Sequence, residues 1–329
     1  MLKIHFTGDD IARTRIAPGP DPLWELVLSL QMLRPQRGDL LFAGWRQEAR
    51  EAVRGASRGE ILSLLLALTP NVGYFPDFLN PIEAVRGLEH GLEAIRSTPI
   101  SVLRRNVSLL AARHSLPRST RRLTDGEPAL LAELTETLRT CYDMTVTPYR
   151  QSIDTAVARD RRIRTTALAH GGVEGLLASL RPTMIWSDGG LSVPGHRHQE
   201  LHLHGRGLLL IPSYFCVSGP LTLFDPELPP VLVYPVERGP DTLPTRASTA
   251  LTALTALIGH TRATVLNALG TRDGTTTTGL ARQLGVSVAS ASEHTTVLRQ
   301  AGLVSSRRDR NRMLHQLTDL GLALLETNR

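Results

Sequence analysis

The sequence predicts an α+β protein: a mainly helical N-terminal domain with a small antiparallel sheet, then a short C-terminal domain of helices closed by a β-hairpin. Three observations carry this. Helical periodicity runs from Trp24 to about Leu180, and the composition then changes to short alternating strands between Thr183 and Tyr234. Beyond a stretch rich in proline and charge, Pro235 to Thr245, helical spacing resumes and is followed by an arginine-rich hairpin and a last amphipathic segment. At 329 residues the chain has room for two domains, taken as 1–240 and 241–329.

With 41% hydrophobic and 21% charged residues the composition is that of a soluble globular chain. The longest apolar run, Ile61 to Leu68, falls far short of the roughly 20 residues a bilayer span needs. The opening MLKIHFTGDD has no apolar core of a secretory signal, and Cys141 and Cys216 give no disulfide framework. A cytoplasmic protein without a membrane partner is expected. Its net charge of +6 is unevenly placed. From Arg246 to Arg329 ten arginines face five acids, so this end holds +5 of the total. A basic end on a nearly neutral body points to a polyanionic partner.

In chain order, Leu2 to Phe6 reads as a strand, and PGPDP at Pro18 to Pro22 stops one element and starts the next. Leu23, Leu26, Val27 and Leu30 then set a helical stripe; further helices are expected at Arg46–Val53, Glu60–Leu68, Ile82–Ile95, Pro128–Tyr142 and Tyr149–Thr166. HGGVEG, His170 to Gly175, reads as a helix junction rather than a phosphate cradle. The loop NVGYFPDFLNP carries Tyr74, Phe75 and Phe78, and with Trp24 and Trp186 these are candidate walls of a pocket for a small organic effector, or else core filling. TMIWS–DGG–LSVP, HQELHLH–GRG–LLLIPS and VLVYP read as an antiparallel meander.

Four histidines, His196, His198, His202 and His204, fall within nine residues. On a strand His198, Glu200, His202 and His204 share one face, with Leu201 and Leu203 on the other. Same-face neighbours are about 6.6 Å apart, so His202 and His204 can reach one ion. Zinc needs a third and usually a fourth ligand, and neither HEXXH nor a CXXC pair occurs. An amphipathic strand with no metal and no cofactor is the expectation; a metal-binding or enzymatic N-terminal domain using these histidines is the alternative. No nucleophile elbow, paired catalytic carboxylates or glycine-rich phosphate loop occurs either, so binding rather than catalysis is expected.

The C-terminal pattern is more specific. A helix breaks at Gly259, and a second runs from Thr261 to Leu269 with Val265, Leu266 and Leu269 as its stripe. TTTTGLARQLG gives a threonine cap and a helix with Leu280, Ala281 and Leu284 inward, ended by Gly285. Ser287 caps VASASEHTTVLRQAG, whose inner stripe is Ala291, Thr295 and Leu298. Its outer face shows Ala289, Ser290, Glu293, His294 and Thr296, a face small and polar enough to approach base edges. After Gly302 a hairpin places Arg307, Arg308, Arg310 and Arg312 in six residues, as a wing on phosphate or in the minor groove requires. DLGLALLETNR closes the chain as an amphipathic helix for packing or dimerisation.

GHTRATVLNAL followed by LGVSVASASEHTTVLRQAGLVSSRRDRNRMLHQLT resembles the ArsR-type winged helix-turn-helix regulators of bacteria. Val297 to Val304, VLRQAGLV, stands where that family has VLREAGLV, and His260, Thr261 and Arg262 stand where it has PTR. The resemblance covers about 80 residues. It implies a homodimeric, sequence-specific regulator of double-stranded operator DNA, a repressor by family habit. Ser287, Ser290, Ser292 and Glu293 would face the major groove, and Arg307 to Arg312 would form the wing contacts. Where metal-sensing members carry a cysteine pair this chain has Thr275 to Thr278, so the resemblance implies DNA binding without that metal sensing. The first 240 residues, through GRGLLLIPSYF and VLVYP, resemble an uncharacterised domain that precedes winged helices in actinobacterial regulators; for it, effector sensing or dimerisation is the expectation.

Overall fold

The computed structural model describes residues 1–34, 42–55, 59–196, 198–238, 243, 255, 257–270, 275–284, 287–309 and 312–327. The chain divides into two compact units, Met1–Thr242 and Leu243–Arg329. Helices with small sheets in both make the protein α+β.

In the N-terminal unit, β1 (Leu2–His5) leads into α1 (Gly8–Arg13) and β2 (Arg15–Ile16). Asp21 then caps α2 (Pro22–Met32), accepting from the amides of Leu23 and Trp24 at 3.0 Å. Proline at the first position costs α2 nothing, because that amide has no helical partner. α2 is buried nearly all round and lies in a helical layer of α3 (Ala43–Gly55), α4 (Gly59–Leu68), α5 (Leu88–Arg96), α6 (Ile100–Ala111), α7 (Thr120–Thr124) and α8 (Pro128–Thr145). α8 is the hub, packing on α2, α3, α4 and α5. Trp45 Nε1 donates to the Thr145 carbonyl at 2.9 Å. The single helix expected over Ile82–Ile95 is two pieces, a 3₁₀ turn Ile82–Arg86 and α5, because Gly87 between them takes φ 129°.

α9 (Arg150–Ala178) bends at Gly172, whose φ of 60° and ψ of −159° lie outside the helical region, at the junction read from HGGVEG. Its first half is tied to the sheet by a buried cluster: the Tyr234 hydroxyl donates to Asp160 at 2.6 Å, and Asp160 accepts from Arg164 at 2.8 Å. Its last turn drives Leu176 and Leu177 into a core shared with Leu2, Ile4, Leu191, Leu201, Leu210 and Leu232.

The strands fall where expected: β3 (Ile185–Ser187), β4 (Gly190–Val193), β5 (Gln199–His202), β6 (Leu209–Ser213) and β7 (Val231–Pro235). Their pairing corrects the antiparallel meander. One sheet has the order β3-β4-β1-β5, antiparallel except for parallel β1 and β5; a second, β2-β6-β7, is parallel throughout. The physical reason lies in the first 17 residues. β1 takes the edge of β5, and β2 takes the edge of β6, with Arg15 and Ala17 amides donating to the Leu208 and Leu210 carbonyls. GRG therefore carries the chain from one sheet to the other instead of reversing it. Gly207 holds φ 73° with the Arg13 carbonyl 2.6 Å from where its Cβ would sit, and its amide donates to Asp10 at 3.0 Å.

In the C-terminal unit α10 (His260–Gly270) follows Gly259, whose φ of 85° supplies the expected break. Then come β8 (Thr275–Thr276), α11 (Thr277–Leu284), α12 (Val288–Gln300), β9 (Val304–Asp309), β10 (Arg312–Leu317) and α13 (Asp319–Thr327). Val265, Leu266, Leu269, Leu280, Ala281, Ala291 and Leu298 form its core. The expected helix end at Gly285 lies outside the described residues.

Candidate nucleic-acid interface

α12 is fixed at both ends by its own sequence. Ser287 accepts the Ser290 amide at 3.1 Å as N-cap, and Gly302, at φ 73°, closes the other end while the Leu303 amide reaches back to the Leu298 carbonyl at 2.9 Å. Ala291, Thr295 and Leu298 are buried, so the opposite side of the helix is fixed as well. Ser287, Ala289, Ser292 and Glu293 are exposed; Ser290, His294 and Thr296 are half-buried. The Thr296 hydroxyl donates to the Ser292 carbonyl at 2.8 Å, and the Ser287 oxygen is engaged by the cap, so Ser292 and Glu293 are the more available polar groups.

The wing follows directly. β9 and β10 pair antiparallel from Val304 with Leu317 to Asp309 with Arg312, and β8 adds a third strand on β10. Arg307 and Arg308 are exposed on β9. Arg310 lies outside the described residues, as does the side chain of Arg312, whose backbone belongs to β10.

Sequence reading missed the group that joins these parts. His315 on β10 is buried, with Nε2 2.8 Å from the Thr277 hydroxyl at the start of α11 and Nδ1 2.8 Å from the Ser306 hydroxyl on β9. Burial, and secondarily the Arg299 charge, lower its pKa. A lone histidine in a strand gives no sequence signal for such a joint; only the pairing of β8, β9 and β10 brings the three side chains together.

A helix-turn-helix whose second helix is followed by a β-hairpin defines a winged helix-turn-helix module. Residues 259–306 match the family described as "Bacterial regulatory protein, arsR family". The C-terminal unit thus carries an ArsR-type helix-turn-helix, the module of DNA-binding transcription regulators. No curated protein and no solved structure matches the chain.

The N-terminal candidates separate. Trp24 is core, edge-on to Phe75 at 5.9 Å; Phe78 is buried; Trp186 packs edge-on against Phe6 at 5.1 Å in the sheet. Tyr74 and Phe75 instead line a cleft of about 640 Å³, together with Phe224, Arg113 and His196. Among His196, His198, His202 and His204 only His202 lies within a strand. His198 and His204 fall outside β5; His204, at φ 54°, keeps its ring 5.9 Å from that of His202. What stands beside His202 is His5 of β1, its ring stacked at 4.5 Å, a residue the sequence reading left out. Among the described residues no helix is long and apolar enough to cross a membrane.

Proposed function

We propose that the protein is a homodimeric transcription repressor that reads operator DNA through α12 and holds it through the wing. The observation that carries this is the exposed face of α12, with Ser292 and Glu293 in reach of base edges and Arg307 and Arg308 beside it for phosphate. Glu293 is suited to accept from a cytosine amino group. Exposed Leu320 and Leu322 on α13, 60% and 43% accessible, support dimerisation through that helix. Sequencing the genomic fragments that the purified protein retains tests the reading, with affinity measured across salt. A shared motif and a fall on the order of a hundredfold or more between about 50 and 200 mM salt are expected. Unselected fragments or a flat salt response would overturn it.

The cleft at Tyr74 and Phe75 favours a second role, binding of a small organic effector that weakens operator binding. A lining that combines Tyr74, Phe75 and Phe224 with the polar Arg113, Asp77 and His196 suits a small aromatic molecule carrying polar groups. Coupling of this kind is about 1–3 kcal/mol and reciprocal. A compound screen by melting temperature, repeated on Phe75→Ala, checks it: hits that persist undiminished in the variant place the effector elsewhere.

A further inference from the structure

His5, Glu200 and His202 come from opposite ends of the N-terminal unit's sequence and meet on one face of one sheet. β1 and β5 run parallel with Lys3 opposite Glu200 and His5 opposite His202, so both imidazoles and the carboxylate project to the same side. Their ligand atoms all lie within 4.8 Å of one another. The Glu200 Oε2 is 3.6 Å from His5 Nε2 and 3.9 Å from His202 Nε2. Ligands about 2.0–2.2 Å from a tetrahedral ion sit roughly 3.3–3.6 Å apart, so both carboxylate–imidazole pairs are within tenths of an ångström of that spacing, and the two imidazole nitrogens, within 4.8 Å, close the rest by rotating.

The His5 Nε2 atom is buried and has no hydrogen-bond partner. A polar ring atom shut away from water without a partner is costly, and this one faces the carboxylate at a distance too long for a hydrogen bond and near that between two ligands of one metal. The two rings lie within 8° of parallel; binding one ion requires them to tilt together. Both side chains keep 39% and 55% of their surface open, so little packing resists the rotation.

We propose that His5, Glu200 and His202 form a site for a divalent transition-metal ion of the zinc class, with water completing the fourth position. Two imidazoles and one carboxylate select such an ion over magnesium or calcium, which prefer all-oxygen sites. Bound there, the ion clips the edge strand β5 to β1 across 197 residues of sequence, so metal stabilises the N-terminal unit. The three residues belong to the N-terminal unit, and the proposal does not depend on the DNA-binding reading.

The test is zinc uptake by the untagged full-length protein, in competition with a chromophoric chelator, with cobalt as a spectroscopic probe of tetrahedral geometry. One equivalent of zinc is expected, with loss of uptake in His202→Gln and in Glu200→Gln, both exposed side chains whose replacement leaves the core untouched. His198→Gln should retain it. Zinc should also raise the melting temperature of the wild type, followed by tryptophan fluorescence, and leave His202→Gln unmoved; all three tryptophans, Trp24, Trp45 and Trp186, belong to the N-terminal unit. No uptake by the wild type, or uptake that survives His202→Gln and Glu200→Gln, would overturn the proposal.

Discussion

The His315 ring on the wing stands 2.8 Å from the Thr277 hydroxyl at the first turn of α11, so the wing and the helix-turn-helix are locked by one side chain. Its other nitrogen holds Ser306 at the same distance. His315→Leu keeps most of the volume and strips both hydroxyls of their partner. A loss of about 1–3 kcal/mol is expected, read by urea unfolding followed by far-UV circular dichroism.

The same residue gives the C-terminal unit a pH dependence. Its folded pKa lies below the unfolded value of 6.5, so its contribution is complete above that pH and is lost as the pH falls toward the folded pKa. Stability should decline on acidification from pH 6.5 in the wild type, with a shallower decline in His315→Leu. Equal slopes in the two proteins would remove His315 as the cause.

Glu25 creates the opposite dependence in the N-terminal unit. It accepts the amides of Tyr214 and Phe215 at 2.7 and 3.0 Å, yet burial pushes its carboxyl up to about 7 against the pull of those amides. A raised acid contributes stability below its unfolded pKa of 4.5 and loses it as the pH rises toward 7. Asp21, also pushed up to about 7 by burial, acts in the same window. Tryptophan-monitored melting should therefore fall from about pH 4.5 to 7, and less steeply in Glu25→Gln. Glu25→Ala leaves two buried amides unpaired and should cost about 1–3 kcal/mol for each.

Gly321 on α13 sits where a Cβ would run into the Leu303 carbonyl oxygen. Backbone cannot swing aside as a side chain does, so Gly321→Ala must push α13 off the start of the wing. Overpacking of this kind costs about 1–3 kcal/mol. Chemical denaturation that leaves the midpoint unchanged would show that α13 has room to move.

On the interface, Arg308→Ala should weaken binding to all sequences alike and reduce the salt slope by about one. Glu293→Ala should relax preference at a single base pair, by about 1–3 kcal/mol. Competition against a panel of single-base operator variants separates the two outcomes.

The sequence by itself determined what repeats locally. Threonine and serine caps, Gly259 and Gly302 at left-handed positions, and the inward stripe of Ala291, Thr295 and Leu298 place the helices of the C-terminal unit, because each is set by contacts within a few residues. The strand positions from Ile185 to Pro235 followed equally from alternation and turns. Pairing did not follow: a strand's pattern states which face is apolar but not which edge its neighbour takes, and residues 1–17 claimed the edges that a hairpin reading gave to β5 and β6. Only the tertiary structure could therefore decide that His5 stacks on His202, that Tyr74 and Phe75 line a cleft while Trp24 and Phe78 fill the core, and that His315 joins wing to helix. Each of these joins residues distant in sequence, whose approach is set by packing and by hydrogen bonds such as Gly207 to Asp10, and no spacing along the chain encodes it.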